Sequence, residues 1–271
     1  MHTERSDRST FPSPRDCYRI NGRCAQLASH CMLQIFSLAM AKIPQDDDLV
    51  ELYGYIAVRD DLDVLLNYVI NISRDDPIIV EKGSLISMAG GPRRGIYMDD
   101  DGLIEYDMRI KRGRQEGDDL QVIDGATILS PWGTSERPFT FNISGDCDGA
   151  VAITLAYLSS AVEATVEILI LEVQSGFHMC LRCFTSGCYD EIRLFDGAVV
   201  KSCALKRYVV AVVRWSSIRL KFKICTESSG SEFQRRCTFK AKTHGHNTRE
   251  IKTDFALISV KVTWSTLDDA W

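Results

Sequence analysis

The sequence predicts an all-β fold: an antiparallel β-sandwich-type architecture with about a dozen strands and a loosely ordered amino-terminal leader. Three observations predict it. Apolar and polar residues alternate with a period of two in many short segments, turns rich in Gly, Asp and Ser separate these segments, and no long window after the leader has the helical period of about 3.6 residues. Such alternation buries one face of a strand and leaves the other in water.

In the first half of the chain the alternation is clearest at residues 103–111. Ile104 and Tyr106 share one face of this segment, whereas Glu105 lies with the charged residues on the other. The Gly-rich residues 90–95 are interpreted as a hairpin turn, because a phosphate-binding loop would open a helix rather than join strands. We predict strands at residues 35–40, 51–58, 65–72, 84–88, 95–98 and 103–111.

The second half of the chain repeats the pattern. Residues 208–215 are nearly all apolar, which predicts a strand in the middle of a sheet. Glu163 alternates with apolar neighbours, so we expect its side chain on a solvent face. We predict strands at residues 139–143, 151–158, 162–173, 208–215, 218–225, 233–242 and 255–264.

These patterns divide the chain into a flexible leader at residues 1–33 and an all-β domain at residues 34–271. The leader is polar, rich in Arg and contains Pro12 and Pro14. Residues 131–138 begin and end with Pro and interrupt the strands, which makes them the candidate internal seam of the domain.

The composition of the 271 residues is that of an ordinary globular protein, with 45% hydrophobic residues, 25% charged residues and a net charge of −5. It excludes a collagen, a disordered tail and a polytopic membrane protein. The apolar run at residues 31–40 is too short to span a bilayer, and no signal peptide precedes it. We therefore predict a cytoplasmic protein with reduced cysteines and no membrane partner.

Dispersed motifs in the domain resemble a known family. They are Gly54-Tyr55-Ile56-Ala57-Val58-Arg59-Asp60-Asp61-Leu62-Asp63, Asn67, Arg74-Asp75-Asp76, Gly91-Pro92-Arg93-Arg94, residues 105–111, Leu155-Ala156-Tyr157-Leu158, residues 162–166 and Val262-Thr263-Trp264-Ser265. In this order they resemble an uncharacterised plant domain family expanded in grasses, some relatives of which are fused to ribosome-inactivating, rRNA-depurinating domains. The resemblance implies a context of defence or stress, but it supplies no catalytic residues, because the family has none established.

Three cysteines have the spacing of half a zinc knuckle: Cys180, Cys183 and Cys188. Zinc requires four nitrogen or sulfur ligands in a tetrahedron. In a strand, Cys180 and Cys183 point to opposite faces, so a shared metal ion would need a turn between them. We therefore assign no metal site and keep the three cysteines as weak candidates.

Acidic clusters lie at the predicted turns, and they could supply oxygen ligands for calcium if several gathered at one end of the sandwich. Their spacing matches no single-loop calcium motif, and Asp favours turns for backbone reasons of its own. We interpret them as solvated turns. The clusters are residues 46–48, 60–63, 75–76, 99–101 and 118–119.

Basic residues concentrate late in the chain, where residues 201–254 contain thirteen basic and four acidic side chains. In the two predicted strands at 218–225 and 233–242 the cations alternate with apolar residues, so a hairpin would place them on one face. The aromatic side chains point the other way, which disfavours stacking on RNA bases. The candidate anion-binding residues are Arg219, Lys221, Lys223, Arg236, Lys240 and Lys242.

The sequence favours a non-catalytic interaction or structural module whose partner is a protein. We assign no catalytic residue and no cofactor, because no nucleophile motif occurs and no histidine is spaced to pair with a Ser or Cys. Two alternatives stay open. One is a translation-inhibiting protein associated with rRNA N-glycosylase activity, and the other is anion or RNA binding through the basic strands at residues 218–242.

Overall fold

The computed structural model describes residues 17–20, 23–26, 29–44, 49–131, 136–185, 188, 190–226 and 232–266. Within these ranges every strand pairing is antiparallel, and several sheets pack on one another. The predicted all-β architecture is therefore confirmed. No helix in the described part of the chain is long and apolar enough to cross a membrane.

The described residues form twenty strands and one short 3₁₀ turn at Glu116–Asp118. The first ten strands are β1 (Cys17–Ile20), β2 (Arg23–Gln26), β3 (His30–Lys42), β4 (Leu49–Asp60), β5 (Asp63–Ile72), β6 (Ile78–Glu81), β7 (Leu85–Ile86), β8 (Ile96–Tyr97), β9 (Gly102–Ile110) and β10 (Leu120–Leu129). The second ten are β11 (Phe139–Ser144), β12 (Ala150–Val173), β13 (Phe177–Phe184), β14 (Ile192–Val199), β15 (Cys203–Ala204), β16 (Tyr208–Val213), β17 (Ser217–Thr226), β18 (Glu232–Lys240), β19 (Gly245–Lys252) and β20 (Ala256–Ser265).

Three sheets contain all of these strands except the small hairpin β1–β2. The amino-terminal sheet has the order β10-β9-β4-β5, with β6 also paired to β4. The carboxy-terminal sheet has the order β14-β13-β17-β18. The central sheet of nine strands is built around β12, which pairs with β3, β11, β15, β16 and β20.

Strand β12 runs for 24 residues, where the sequence predicted two separate strands. At the expected break Ser160 adopts a left-handed φ of 52°, and the register with β3 shifts between Leu158 and Ala161. Ala161 nevertheless pairs on both sides, with His30 and Val213. The two serines therefore make an irregularity within one strand, because β12 is paired both before and after them.

Two hydrophobic cores lie on opposite faces of the central sheet. The first core fills the space beneath the amino-terminal sheet and includes Leu155 and Tyr157 of β12. The second core fills the space beneath the carboxy-terminal sheet and includes Ala156 and Leu158, together with the even-numbered residues of β12 from 162 to 170. Since neighbouring side chains of a strand point to opposite faces, β12 and β3 serve both cores where the two overlap.

The predicted leader at residues 1–33 lies largely outside the described side chains. Its backbone is described in the β1–β2 hairpin, and its last four residues already belong to β3. In β3 the residues from Met32 to Phe36 are buried without interruption. This is the pattern of a strand covered on both faces, which period-two alternation does not reveal. Residues 132–135 of the candidate seam also lie outside the described residues.

The sequence did not predict β1, β2, β6, β10, β13, β14, β15 and β19. Edge strands explain part of this difference, because a strand that buries few side chains shows little alternation. In β19, which pairs only with β20 among the described strands, Ile251 is the one buried residue of eight. Strand β10 carries a bulge between Gln121 and Ile123, which breaks the period-two pattern.

Glu163 is buried, so its predicted position on a solvent face was wrong. Its side-chain carboxylate accepts hydrogen bonds from the backbone N–H of Gly95 at 2.6 Å and from the hydroxyls of Thr165 and Ser265 at 3.2 Å each. Alternation correctly separates Glu163 from its apolar neighbours, but it cannot show that the segment after Pro92 packs over this face of β12.

That segment is held in place by a buried ion pair. Both guanidinium nitrogens at the end of Arg94 donate to the Asp60 carboxylate, at 2.6 and 2.8 Å, and the backbone N–H of Tyr97 donates to it at 2.9 Å. The Asp60 side chain is 1% exposed. The side-chain amide of Asn67 adds bonds to the backbone of Arg93 and Arg94. The Gly-rich residues 90–95 are an anchored connection between β7 and β8, and their interpretation as a hairpin turn was wrong, because both strands run in the same direction along β3.

We predict that Asp60→Ala lowers the free energy of unfolding by about 3 kcal/mol, because Arg94, a largely buried cation, would keep only its longer ion pair with Asp63 at 3.9 Å. Urea denaturation measures this change. The matched control is Asp148→Ala, which removes a carboxylate from an exposed ion pair with Lys42 and should cost less than about 1 kcal/mol. Equal losses in the two variants would contradict the role given to Asp60.

A second buried carboxylate fastens the segment that follows β9. Asp119 accepts hydrogen bonds from the Arg74 guanidinium at 2.6 and 3.1 Å, from the Tyr53 hydroxyl at 2.6 Å and from the backbone N–H of Arg112 at 2.8 Å. The Arg74 guanidinium, followed by the Tyr53 hydroxyl, holds the pKa of Asp119 well below its usual range. Burial, with the bond to Asp119, raises the pKa of Tyr53 to about 12.

The depressed pKa of Asp119 predicts a loss of stability in acid. A carboxylate whose pKa is lower in the folded state stabilises the protein above its unfolded pKa of about 3.9, and that contribution disappears as the pH falls towards the folded pKa. The difference in unfolding free energy between wild type and Asp119→Asn should therefore be largest near neutral pH and should narrow below about pH 4. Urea denaturation at a series of pH values checks this, and a difference that grows on acidification would contradict it.

Candidate anion-binding surface

The carboxy-terminal sheet has an apolar inner face and a cationic outer face. In β17 the side chains of Ile218, Leu220, Phe222 and Ile224 are fully buried in the second core. Arg219, Lys221 and Lys223 alternate with them and therefore point outward. Strand β18 pairs with β17 along its whole length and adds its own outward cations, so the two basic strands lie side by side as the sequence predicted.

Four cations line up across this outer face, one on each strand. Arg193 of β14 lies opposite Arg182 of β13, Arg182 lies opposite Lys221 of β17, and Lys221 lies opposite Arg236 of β18. We call these four residues the cation row. Neighbouring strands are about 4.8 Å apart, so the row spans roughly 14 Å.

The two ends of the cation row differ in how far acids neutralise them. Arg182 donates to Glu191 at 2.6 Å, and Arg193 lies 3.8 Å from Asp196. Lys221 and Arg236 form no ion pair among the described residues, although both point outward and Arg236 is exposed. The positive charge of the row is therefore least compensated at the β17–β18 end.

The remaining candidate residues surround this end of the row. Lys223 lies beside the row and pairs with Glu232 at 2.9 Å, an ion pair that raises the pKa of Lys223 and lowers that of Glu232. Arg219 lies on the other side, opposite Thr238. Lys240 lies opposite Ser217, and Lys242 follows just after the end of β18; both are exposed. The strand pairing thus gathers five of the six candidates on β17 and β18, and Lys242 lies just beyond them.

Aromatic side chains are placed mainly on the inner face of this sheet. Phe222 and Phe239 are buried in the second core, and Phe233 packs against it. Phe184 of β13, opposite Arg219, is the half-buried aromatic residue of the outer face. Successive stacking platforms for bases are therefore missing from the described outer face.

The three cysteines of the zinc-knuckle spacing are not brought together. Cys180 lies on the outer face of β13 beneath the Arg182 side chain, whose Nε donates to its sulfur at 3.4 Å, whereas Cys183 faces the second core. Cys188 follows in the next turn. Burial raises the pKa of the Cys183 and Cys188 thiols, which keeps them protonated. No group of metal-ligating side chains occurs among the described residues.

Two of the acidic turns lie next to each other. Burial is the largest cause of the raised pKa of Asp61, and the nearby charges of Asp100 and Asp101 raise it further. In these turns, the carboxylates of Asp60 and Asp99 are already bound by other groups of the protein. Asp60 is paired with Arg94, and Asp99 accepts hydrogen bonds from His30 at 2.8 Å and from the backbone N–H of Cys31 at 2.7 Å. These contacts leave Asp60 and Asp99 little capacity to act as calcium ligands.

Sequence reasoning missed Arg182 and Arg193, which complete the cation row. The segment Phe177–Phe184 drew attention for its cysteines, but its buried residues Phe177, Met179, Leu181 and Cys183 do alternate, and that signal could have identified β13. The position of Arg182 beside Lys221 depends on β13 pairing with β17, and no local pattern encodes the pairing of two strands so far apart in sequence.

Comparison with known proteins identifies a family. The family model described as a domain of unknown function (DUF6598) matches residues 32–262. No curated protein matches the chain in sequence.

Two solved structures that resemble the chain are distant likenesses. The structure of the two C2-type domains of Extended-Synaptotagmin 2 has 8% identity and a TM-score of 0.31, covering 95% of this chain and 99% of that chain. Human GIVD cytosolic phospholipase A2 has 7% identity and a TM-score of 0.26, covering 87% of this chain and 33% of that chain. The chain thus spans about a third of the length of the phospholipase. At these TM-scores neither likeness carries an argument about this protein.

We predict that the cation row costs stability in the absence of a ligand, because like charges directly opposite in a sheet repel. Lys221→Thr should raise the free energy of unfolding by about 0.5 kcal/mol at low salt, and the gain should shrink at high salt. Lys223→Thr is the matched control, since it introduces the same side chain one row away but removes the ion pair with Glu232. Urea denaturation at two salt concentrations compares the variants, and a larger gain in the control would refute the prediction.

Proposed function

The chain belongs to the DUF6598 family, a family of unknown function, and we propose that it is a non-catalytic binding module that recognises an anionic partner through the cation row and the basic residues beside it. The observation that supports this proposal is the register of the carboxy-terminal sheet. It aligns one cation from each of four strands on an exposed face, and acids compensate only part of the charge.

An anionic ligand would relieve the repulsion that this arrangement creates. Lys221 lies between Arg182 and Arg236, both of the same charge. A carboxylate or phosphate above the row would form charge-assisted hydrogen bonds with several of these donors at once. Arginine presents its donors as a planar fork suited to such groups, and two or three arginines per ligand give geometric selectivity.

A non-catalytic role agrees with the state of the described titratable groups. His30 and Asp99 form a pair that resembles part of a catalytic dyad, and Cys31 follows His30 directly. Burial raises the pKa of Cys31 to about 11, so the thiol stays protonated and is a poor nucleophile. The Asp99 carboxylate is also occupied by the Cys31 backbone, which gives the pair a structural task.

The resemblance to a grass-expanded plant family supplies a context of defence or stress for this binding role. Depurination of rRNA, the activity implied for fused relatives, would need an accessible Glu beside an Arg. Glu163 does not offer this, because its carboxylate is buried and accepts three hydrogen bonds from within the protein. We therefore favour binding over depurination for this chain.

The proposal predicts that Lys221→Glu combined with Arg236→Glu weakens the binding of heparin, used as a generic polyanion, about tenfold. Two reversed charges at the least compensated end of the row correspond to roughly 1.4 kcal/mol of lost binding free energy. The affinity of the wild-type chain should fall steeply with salt, and that of the variant less steeply. Titration with labelled heparin at several salt concentrations measures both quantities.

The control for this experiment keeps the net charge change equal. Lys82→Glu combined with Lys252→Glu reverses two exposed lysines outside the carboxy-terminal sheet, and it should leave heparin affinity within about twofold of wild type. Equal weakening in both double variants would show that net charge alone matters. That result, or the absence of heparin binding by the wild-type chain, would overturn the proposed function.

A further inference from the structure

The turn between β16 and β17 carries an exposed tryptophan at its tip. Trp215 is 84% exposed, and the guanidinium carbon of Arg214 lies 4.8 Å from the centre of its ring. Trp264, by contrast, is 1% exposed in the second core. We call the residues from Val213 to Ser217 the Trp215 turn.

Three backbone hydrogen bonds hold the Trp215 turn in place. The N–H of Ser216 donates to the carbonyl of Val213 at 3.0 Å, which closes the turn. The N–H of Arg214 donates to the carbonyl of Ser160 in β12 at 2.9 Å, and the N–H of Ala241 donates to the carbonyl of Ser216 at 3.0 Å. The tryptophan is therefore presented on a supported tip rather than on a free loop, so its exposure is a property of the fold.

Cations flank the Trp215 turn. Arg214 lies in it, Lys240 lies opposite Ser217, and Arg219 follows on the outer face of β17, with Lys242 just beyond the end of β18. The sequence contains no acidic residue between Tyr208 and Thr226 or between Phe233 and Arg249. The connection from β13 to β14 contains Asp190 and Glu191, but Glu191 is engaged by Arg182 at 2.6 Å.

We propose that the Trp215 turn docks on the surface of a lipid bilayer that contains anionic lipids, with Trp215 in the interfacial layer and the flanking cations on lipid headgroups. Tryptophan favours the bilayer interface, and Lys and Arg beside it are attracted by anionic lipids. A single protruding apolar side chain flanked by cations suits a lipid bilayer. Because the bilayer is fluid, it can accept the side chain without a preformed pocket. RNA could stack a base on this ring, but single strands are bound by successive aromatic platforms, which the described outer face lacks. An acidic protein would have to supply a pocket for Trp215.

This inference rests on the proposed anion-binding function, because the same basic strands would face the headgroups. It departs from the sequence-based expectation of no membrane partner, which was drawn from the lack of a segment long enough to span. Lying on a bilayer requires no such segment, only an apolar anchor and electrostatic attraction. Trp215 is the observation that distinguishes membrane docking from anion binding, because a soluble polyanion could bind the basic strands without an exposed tryptophan.

The experiment is co-sedimentation of the full chain with vesicles of phosphatidylcholine alone and with vesicles that contain about 30% phosphatidylserine. The wild-type chain should sediment with the anionic vesicles and not with the neutral ones. Trp215→Ser should lower the partition coefficient about tenfold, the loss expected when one large apolar side chain no longer leaves water. Heparin affinity should not change in this variant, which also shows that it is folded.

The matched control is Val200→Ser. Val200 is 73% exposed just after β14, at the opposite end of the carboxy-terminal sheet from the Trp215 turn. Its replacement removes an exposed apolar side chain without touching the proposed docking site. Vesicle binding of this variant should stay within about twofold of wild type.

Four outcomes would overturn the inference. Heparin binding without vesicle binding would rule out docking on a membrane and leave the proposed function intact. Equal vesicle binding by wild type and Trp215→Ser would show that Trp215 is not the membrane anchor. Tighter binding to oligouridylate or polyglutamate than to vesicles, unchanged by Trp215→Ser, would assign the basic face to RNA or to an acidic protein. Failure to bind both heparin and vesicles would overturn the inference and the proposed function together.

Discussion

The backbone hydrogen bonds of β12 are the constraint on which the rest of the structure depends. This strand of 24 residues pairs with β3 and β11 over its first half and with β16 and β20 over its second. Its side chains enter the first core from one face and the second core from the other. The position of both outer sheets, and hence of the cation row, is therefore set relative to one continuous strand.

Local alternation was enough to predict the strands that bury one face. Strand β9 alternates between buried and half-buried residues along its whole length, and β17 does nearly the same. The prediction failed where burial depends on partners distant in sequence. Glu163 belongs to an alternating segment, yet Gly95 and Ser265 contact its carboxylate. The two serines before Ala161 resemble a turn, although β12 continues past them.

The candidate surface was predicted in part for the same physical reason. The cations of β17 and β18 could be placed on one face because the two strands follow each other closely and alternate in register. Arg182 and Arg193 could not, because they join the surface only through the strand order β14-β13-β17-β18, in which β13 lies next to a strand more than thirty residues later. Strand order is decided by how the second core closes, a property of the whole fold.

The shared strand also governs the order in which the chain can fold during synthesis. The first core needs Leu33 and Ile35 from β3 together with Val151 to Tyr157 from β12, so the early strands must wait for more than a hundred later residues before their apolar faces are covered. During that delay β4, β5 and β9 can pair with one another but have no sheet to pack against. A nascent chain of this kind exposes apolar surface until β12 has left the ribosome.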